Sequence, residues 1–382
     1  MRYRRLGRTG LQVSEIGFGA EWMGKPQEEV DAFVRACEET GINLMDVWMA
    51  DPAMRSKLGH AMAERGTRDQ WIIQGHIGST WQDGQYVRTR ELDQVRPAFE
   101  DLLERLRTDH VELGMIHYVD ACDEFRAIMD GPFIEYVREL LAAGKIGHVG
   151  LSTHNPEVAL LACDEPEIEV IMFSLNPAFD MMPASEDLED LFGDYENVAG
   201  DGIEPVRARL YARAEEKDVA LTVMKGYAGG RLLFADASPF GVALTPVQCI
   251  HYALTRQAVA SVMVGVEIVE QLEEALAYEG ATAAERDYAS VLAGAPKHAY
   301  MGQCTYCGHC APCTVGINIA LSNKFADLAE MAGEVPASVA AHYKAIDVTA
   351  GACIACGDCE PRCPFDVPII ERMEKTEELF GC

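Results

Sequence analysis

Eight cysteines near the end of the chain stand in two closely spaced runs. The first run is Cys304, Cys307, Cys310 and Cys313, and the second is Cys353, Cys356, Cys359 and Cys363. Four thiols within about ten residues, with Pro364 after the second run, form a spacing typical of proteins that bind [4Fe–4S] clusters. Structural zinc is the alternative, but zinc sites usually take their four ligands from two spaced pairs. Two such runs therefore favour two iron–sulfur clusters.

The spacing also predicts which cysteines share a cluster. In two-cluster ferredoxins the fourth cysteine of a run binds the other cluster. We therefore expect one cluster on Cys304, Cys307, Cys310 and Cys363, and the other on Cys353, Cys356, Cys359 and Cys313. Between the runs, Leu321, Phe325, Leu328 and Met331 recur near helical spacing. Residues 296–382 are therefore predicted to form a small α-helical ferredoxin-like domain.

Composition limits the kinds of partner. A chain of 382 residues exceeds one compact core, which predicts a large domain and a smaller one. Its net charge of −29 argues against nucleic acid or an anionic membrane as a partner. The sequence shows neither a membrane-spanning apolar run nor a signal peptide at its start, so we expect a cytoplasmic protein. In that reducing compartment grouped thiols usually bind metal.

Residues 1–295 alternate short β-rich runs with helical stretches, which indicates repeated β–α units around a parallel sheet. The eight runs are Ile16–Gly19, Leu44–Val47, Trp71–Gly75, Leu113–His117, His148–Ser152, Val170–Leu175, Ala220–Met224 and Ser261–Gly265. Eight units predict a (β/α)₈ TIM barrel, and an open doubly wound sheet is the alternative. Tyr3–Leu6 and Leu11–Val13 are predicted to form a hairpin at the barrel floor.

Ionisable residues follow the first five predicted strands. They are Glu21, Asp46, His76, His117 and His154. Because the carboxyl ends of barrel strands meet at one mouth, we expect these side chains to form one pocket. Carboxylates with imidazoles suit Zn, Fe(II) or Mn, so a mononuclear metal at the barrel mouth is one interpretation. Proton donors, or ordinary hydrogen-bonded core histidines, are the others.

Several motifs resemble those of the aldo/keto reductases. They are residues 3–19, Gly41–Asp46, Ile116–His117, Gly150–Ser152, Met224–Lys225 with Gly229–Leu232, and Val264–Gly265 before Glu270–Glu274. With the cysteine runs included, the whole chain resembles the iron–sulfur-bearing members of that family. The resemblance implies a barrel that binds NAD(P)H and exchanges hydride with a carbonyl or an alcohol.

The resemblance also implies a catalytic tetrad of Tyr, Lys, Asp and His, of which this chain keeps half. Asp46 and His117 occupy the Asp and His positions, whereas Asp51 stands at the Tyr position and His76 at the Lys position. An Asp is a far stronger acid than a Tyr and is normally ionised at neutral pH. We therefore expect chemistry at this mouth without a tyrosine acid.

The implied nicotinamide site is partly present. By resemblance, Ser152 holds the carboxamide, and Lys225 with Gly229, Gly230 and Arg231 forms the loop over the pyrophosphate. Where the family often has basic groups for a 2′-phosphate, this chain has Val266 and Glu267. The expectation is that any nicotinamide bound is NAD(H).

The sequence thus favours an iron–sulfur oxidoreductase that acts on a small molecule and exchanges electrons with a redox protein partner. Two alternatives stay open. One is a metal-dependent redox or lyase enzyme that uses the Glu/Asp/His pocket without nicotinamide. The other is a non-catalytic electron-transfer subunit.

Overall fold

The computed structural model describes residues 1–192, 202–297, 301–332 and 335–382. Its twelve described strands are β1 (Tyr3–Arg5), β2 (Gln12–Ser14), β3 (Ile16–Gly19), β4 (Leu44–Val47), β5 (Ile72–Ile77), β6 (Ser79–Gln82), β7 (Gln85–Arg88), β8 (Val111–Ile116), β9 (Ile146–Thr153), β10 (Val170–Ser174), β11 (Ala220–Met224) and β12 (Val259–Gly265).

Eight of these strands close a parallel barrel in the order β3-β4-β5-β8-β9-β10-β11-β12, and β12 pairs with β3. The predicted barrel is confirmed, and the open sheet is excluded. Each predicted run corresponds to one barrel strand. Predicted and observed ends differ by up to two residues, and His117, predicted inside the fourth strand, lies just after β8.

The N-terminal hairpin covers the floor of the barrel. Strands β1 and β2 pair antiparallel, with Arg4 opposite Val13. Leu6 and Val13 are fully buried in one apolar cluster with Leu44 and Ala220, the first residues of β4 and β11. This cluster closes the amino-terminal end of the barrel, so the pocket must open at the other end.

The described helices surround the barrel or follow it. They are α1 (Gln27–Thr40), α2 (Pro52–Arg65), α3 (Leu92–Arg105), α4 (Cys122–Met129), α5 (Pro132–Ala142), α6 (Pro156–Asp164), α7 (Pro205–Glu216), α8 (Pro246–Leu254), α9 (Val269–Leu276), α10 (Tyr288–Ala293), α11 (Ile319–Ala332), α12 (Ala337–Lys344) and α13 (Ile369–Phe380). None of the helices in these ranges has both the length and the apolar character needed to cross a membrane.

Helix α1 illustrates how the local sequence determines the buried face of a helix and the residue at which it ends. Val30, Phe33, Val34 and Cys37 recur at helical spacing and are all buried. The helix ends at Gly41, whose φ of 85° is a left-handed conformation that glycine adopts without steric cost.

The segment after β10, Phe179–Pro205, is rich in acidic residues, which predicts a solvated insertion, but its first residues are buried. Phe179–Met181 is a buried 3₁₀ turn, and Asp180 accepts hydrogen bonds from the hydroxyls of Tyr211 and Tyr252. An acidic residue can lie in the core when donors satisfy its carboxylate. Part of the insertion, 193–201, falls outside the described residues.

The C-terminal segment packs against the barrel through α11, which contacts α7 and α13. Arg256, fully buried, joins the two parts. Its guanidinium donates to the carbonyl of Thr305 at 2.7 Å and lies over the rings of Tyr252 and Tyr306. The first cysteine run therefore rests directly on the wall of the barrel.

Candidate active site and cysteine-lined cavities

A buried carboxylate lies at the base of the barrel mouth. Asp46, in β4, accepts hydrogen bonds at Oδ1 from Gln74 Nε2 and His76 Nε2, both at 2.9 Å. Gln74 and His76 lie two residues apart on β5, so both side chains point to the same face of the strand. Thr222 in turn donates to Gln74 Oε1 at 2.9 Å. This support fixes the orientation of the His76 ring.

A second histidine, His117, extends these hydrogen bonds from His76 towards Tyr86. His76 Nδ1 and His117 Nδ1 share a hydrogen bond of 2.7 Å, and a 2.6 Å hydrogen bond joins His117 Nε2 to the hydroxyl of Tyr86. We call Asp46, His76, His117 and Tyr86, in this order, the proton chain. Asp46, His76 and His117 are buried, whereas Tyr86 is half-buried and forms the outer end.

Tyr86 is a site residue that the sequence interpretation missed. It lies on the antiparallel β6–β7 hairpin, opposite Trp81. The turn residues Asp83 and Gly84 have φ of 51° and 80°, as in the type I′ turn that Asp-Gly favours. That Asp-Gly pair, between residues of alternating polarity, is the signal that could have predicted the hairpin.

Several contacts fold the hairpin back over the mouth. Ser79 donates to the carbonyl of Trp48 at 2.6 Å, and Arg90 donates to the carbonyls of His117 and Tyr118. The rings of Trp48 and Tyr86 meet edge to face with centroids 5.4 Å apart. These anchors hold the Tyr86 hydroxyl at His117.

Burial shifts the proton affinities at this site. It lowers the pKa of His117 well below the usual histidine value, and the neighbouring His76 adds to the effect. Burial also raises the pKa of Tyr86 to about 12. Tyr86 therefore stays a protonated phenol throughout the neutral pH range.

Glu21 and His154 border the chain without joining it. Glu21 accepts a 3.0 Å hydrogen bond from Trp48 Nε1, and the Trp48 ring stacks on that of His117 at 6.0 Å. His154 Nδ1 pairs with Asp120 at 2.9 Å. The Tyr118 ring contacts both His117 and His154. Three of the five expected mouth residues are thus in direct contact, and aromatic rings connect the other two.

The contacts do not support the mononuclear-metal interpretation of the mouth. Across the described ranges, no three His, Cys, Asp or Glu side chains are arranged around one metal ion. The physical reason lies in the two histidines: a coordinating nitrogen must direct its lone pair at the metal, whereas the Nδ1 atoms of His76 and His117 face each other. Their direct hydrogen bond uses the atoms that a metal would need.

Asp51 has a structural contact of its own. It is the N-cap of α2, and its Oδ1 accepts from the backbone N–H groups of Ala53 and Met54 at 2.8 and 3.4 Å. These bonds satisfy donors at the helix start that have no partner within the helix. The position that the family resemblance assigns to a tyrosine is thus a helix cap here.

The residues expected to hold nicotinamide lie on β9 and after β11, two barrel strands that are separated by β10. Ser152, in β9, accepts the Tyr118 N–H at 2.8 Å, and its hydroxyl proton can still be donated. Lys225 begins the loop that contains Gly229, Gly230 and Arg231. Burial lowers the pKa of Lys225, against the attraction of Glu21 and Asp120. Both glycines have positive φ, 64° and 87°, so the loop turns tightly.

Two cavities lie within the C-terminal segment, and four cysteines line each. Cys304, Cys307, Cys310 and Cys363 line one cavity. Cys313, Cys353, Cys356 and Cys359 line the other. Each cavity therefore takes three cysteines from one run and the last cysteine of the other. None of the thirteen cysteines forms a disulfide.

The two cysteine runs have the same backbone form. Positive φ occurs just before the second cysteine of each run, at Tyr306 and Ala355, and just after it, at Gly308 and Gly357. Helices α11 and α13 each begin six residues after the last cysteine of their run. The runs also interlock, since Arg362 donates to the carbonyl of Pro312 at 2.8 Å. The two cavities are thus related by an internal repeat.

Comparisons with known proteins agree with the barrel. "Uncharacterized oxidoreductase YqkF" from Bacillus subtilis is 28% identical over 294 residues, which cover 72% of this chain and 90% of that protein. "Aldo-keto reductase YhdN" from Bacillus subtilis is 29% identical over 165 residues, which cover 41% of this chain and 48% of that protein. The chain thus spans about half the length of YhdN.

Solved structures and a family model complete the comparison. The holo form of aldo-keto reductase AKR11C1 from Bacillus halodurans superposes with a TM-score of 0.59 at 23% identity, covering 75% of this chain and 94% of that one. The model of the "Aldo/keto reductase family" matches residues 15–292, so both cysteine runs lie beyond the matched range. A match over this share of the chain, on a closed eight-stranded barrel, shows that the chain belongs to the aldo/keto reductase family.

Proposed function

We propose that this aldo/keto reductase-type oxidoreductase is an iron–sulfur enzyme, in which redox chemistry at the barrel mouth is coupled to electron transfer through two [4Fe–4S] clusters. The observation that carries the proposal is the composition of the two cavities. Each is lined by four cysteines, and each combines three of one run with the last of the other. This exchange of the fourth ligand is a property of two-cluster ferredoxins.

The residues around the cavities fit clusters better than single zinc ions. Four thiolates on a cubane bind four different irons, so their sulfurs stand farther apart than ligands that converge on one ion, and no three of the described cysteines converge on one ion. The lining is otherwise largely apolar, with Ile369 in both cavities. Asn323 Nδ2 donates to Cys304 Sγ at 3.5 Å, and hydrogen bonds to cluster sulfurs of this kind tune cluster potentials. When bound, the clusters would carry single electrons.

The second cavity is the more accessible of the two. Cys356 is exposed, and the neighbouring Ile354 side chain is 61% exposed. We infer that electrons pass between the protein and a redox protein partner on this side. The four cysteines of the first cavity, by contrast, are all half-buried. Thirteen cysteines without a disulfide fit action in the reducing cytoplasm.

At the mouth, the altered tetrad is proposed to act on a small-molecule carbonyl or alcohol. Asp46 and His117 keep their family positions, and His76 takes the place of the lysine. The 2.9 Å hydrogen bond from His76 to Asp46 supports this exchange, because the family's lysine would pair with the same carboxylate. The expected nicotinamide would supply hydride. Ser152, in β9, and the 225–231 loop after β11 would hold that cofactor.

Anaerobic mixing of the oxidised protein with NADH tests this coupling. Iron–sulfur clusters absorb broadly in the visible, and this absorption bleaches on reduction. NADH is expected to bleach the protein, and the matched variant Ser152→Ala is expected to bleach fully with dithionite but more slowly with NADH. Bleaching by dithionite alone in the wild type would instead favour the non-catalytic electron-transfer subunit.

A further inference from the structure

We propose that Tyr86 is the general acid of the barrel site and gives its hydroxyl proton to the substrate's carbonyl oxygen, with His117 and His76 as the relay that replaces it. The inference rests on the proposed function, since it assumes that a carbonyl binds at this mouth. The observation behind it is the 2.6 Å contact between the Tyr86 hydroxyl and His117 Nε2.

Tyr86 is more exposed than the rest of the proton chain. Asp46, His76 and His117 are at most 5% exposed, so none of them offers much surface to a substrate. Tyr86 is half-buried, and its ring lies beside Trp48 at the open end of the barrel. Tyr86 is therefore the member of the chain that a small molecule can reach.

The proton chain has two protonation states, which follow from counting the protons on its hydrogen-bonding atoms. An ionised Asp46 accepts the Nε2 proton of His76. If both imidazoles are neutral, His76 Nδ1 must accept the Nδ1 proton of His117. His117 Nε2 then has only a lone pair, and it accepts the Tyr86 proton. In this first state the phenol is turned towards His117 and cannot donate to substrate.

One added proton reverses donor and acceptor in two hydrogen bonds, the one between His76 and His117 and the one between His117 and Tyr86. His76 then carries protons on both nitrogens and donates through Nδ1 to His117. His117 is protonated at Nε2 instead and donates to the phenol oxygen of Tyr86. The hydroxyl proton of Tyr86 is now free to point into the mouth. This second state is the one that can reduce a carbonyl.

The transfer balances in atoms and charge. The O–H bond of Tyr86 breaks and an O–H bond forms on the substrate oxygen, while the carbonyl carbon takes its electron pair as hydride from a reduced nicotinamide. The phenolate takes the Nε2 proton of His117, and His117 takes the Nδ1 proton of His76. The chain ends in its first state, one proton poorer, and the alcohol holds that proton. Alcohol oxidation runs the same steps backwards.

This assignment replaces the tyrosine that the aligned position lacks. Asp51, at that position, caps α2, and its Oδ1 accepts from two backbone donors there. Tyr86 comes instead from a hairpin inserted between β5 and β8, and it reaches the same histidine from another part of the chain. A tyrosine acid is thus present at the mouth, contrary to the expectation from the aligned sequence.

An aldehyde dye tests the assignment without turnover. The visible absorption band of 4-(dimethylamino)cinnamaldehyde moves to longer wavelength when its carbonyl oxygen accepts a strong hydrogen bond or a proton. We expect this red shift with the full-length, anaerobically purified protein and its loss in Tyr86→Phe. Gln85→Ala, an exposed change one residue away on the same strand, is the matched control and should keep the shift.

Turnover and metal content complete the test. With NADH and 4-nitrobenzaldehyde, Tyr86→Phe should turn over about 10²–10⁴-fold more slowly than Gln85→Ala. No red shift in the wild type, or an equal shift in Tyr86→Phe with unchanged thermal stability, would overturn the assignment. Iron and sulfide content reports separately on the clusters. Loss of iron with an intact red shift would therefore contradict the proposed function and leave Tyr86 as the acid.

Discussion

His76 and His117 face each other through their Nδ1 atoms at 2.7 Å, so a single proton lies between the two rings. This contact joins a buried carboxylate on one side to a half-exposed phenol on the other. It also explains why imidazoles at three strand ends do not surround a metal. In the proposal, protons pass between these two rings. Removing one ring should therefore change both the stability of the protein and the hydrogen bonding of Tyr86.

We predict that His76→Ala lowers the free energy of unfolding by about 1–3 kcal/mol, because Asp46 and His117 each lose one of their buried hydrogen bonds. The aldehyde red shift should weaken as well. Chemical denaturation measures the first effect, with the exposed change His342→Ala as control. Equal stability of the two variants would show that the pair contributes nothing to the fold.

The acid at the mouth can be identified from its pH dependence. Burial raises the pKa of Tyr86 to about 12, so its hydroxyl remains protonated at every pH below that value. Only the chain with the added proton leaves that hydroxyl free to donate, so the aldehyde red shift should be stronger at about pH 6 than at about pH 9, and Asp51→Asn should not change it. An Asp donor would lose its proton above about pH 4. A shift that disappears between about pH 4 and 6 would assign the acid to a carboxyl group.

The proton chain and the barrel differ in how far the sequence predicts them. All eight barrel strands can be predicted from local apolar runs, because the residues within and next to a strand determine its hydrophobic pattern and its ends. The position of Tyr86 depends on a hairpin that folds back onto Trp48 and Tyr118, and no local pattern contains that docking. Asp51 illustrates the converse, because alignment gives a position while the helix start decides how its carboxylate is used.

Dinucleotide preference should follow the residues after β12. Val266 is buried and Glu267 is exposed, so a 2′-phosphate there would meet a negative charge. Binding measured by calorimetry should favour NADH over NADPH. Glu267→Arg should strengthen NADPH binding by about tenfold, the effect of one charge-assisted hydrogen bond. Glu135→Arg makes the same charge change on α5 and should have no effect. Tighter binding of NADPH by the wild type would contradict this prediction.

Each cavity takes its fourth cysteine from the other run, so we expect variants of the two runs to disturb the same cluster. Cys307→Ser and Cys356→Ser serve as references, since their cavities follow from the first three positions of each run. Cys363→Ser should disturb the same electron paramagnetic resonance signal as Cys307→Ser, because both line the first cavity. Cys313→Ser should reproduce Cys356→Ser. If each fourth cysteine instead matched the reference variant of its own run, the clusters would not exchange ligands.

Metal analysis of the wild-type protein, purified without oxygen, tests the central claim most directly. Two [4Fe–4S] clusters require about eight irons and about eight acid-labile sulfides per chain. We predict these values, together with visible absorption that bleaches on reduction with dithionite. A protein that contains zinc in place of iron, with no acid-labile sulfide, would contradict the proposal that the two cysteine-lined cavities hold iron–sulfur clusters.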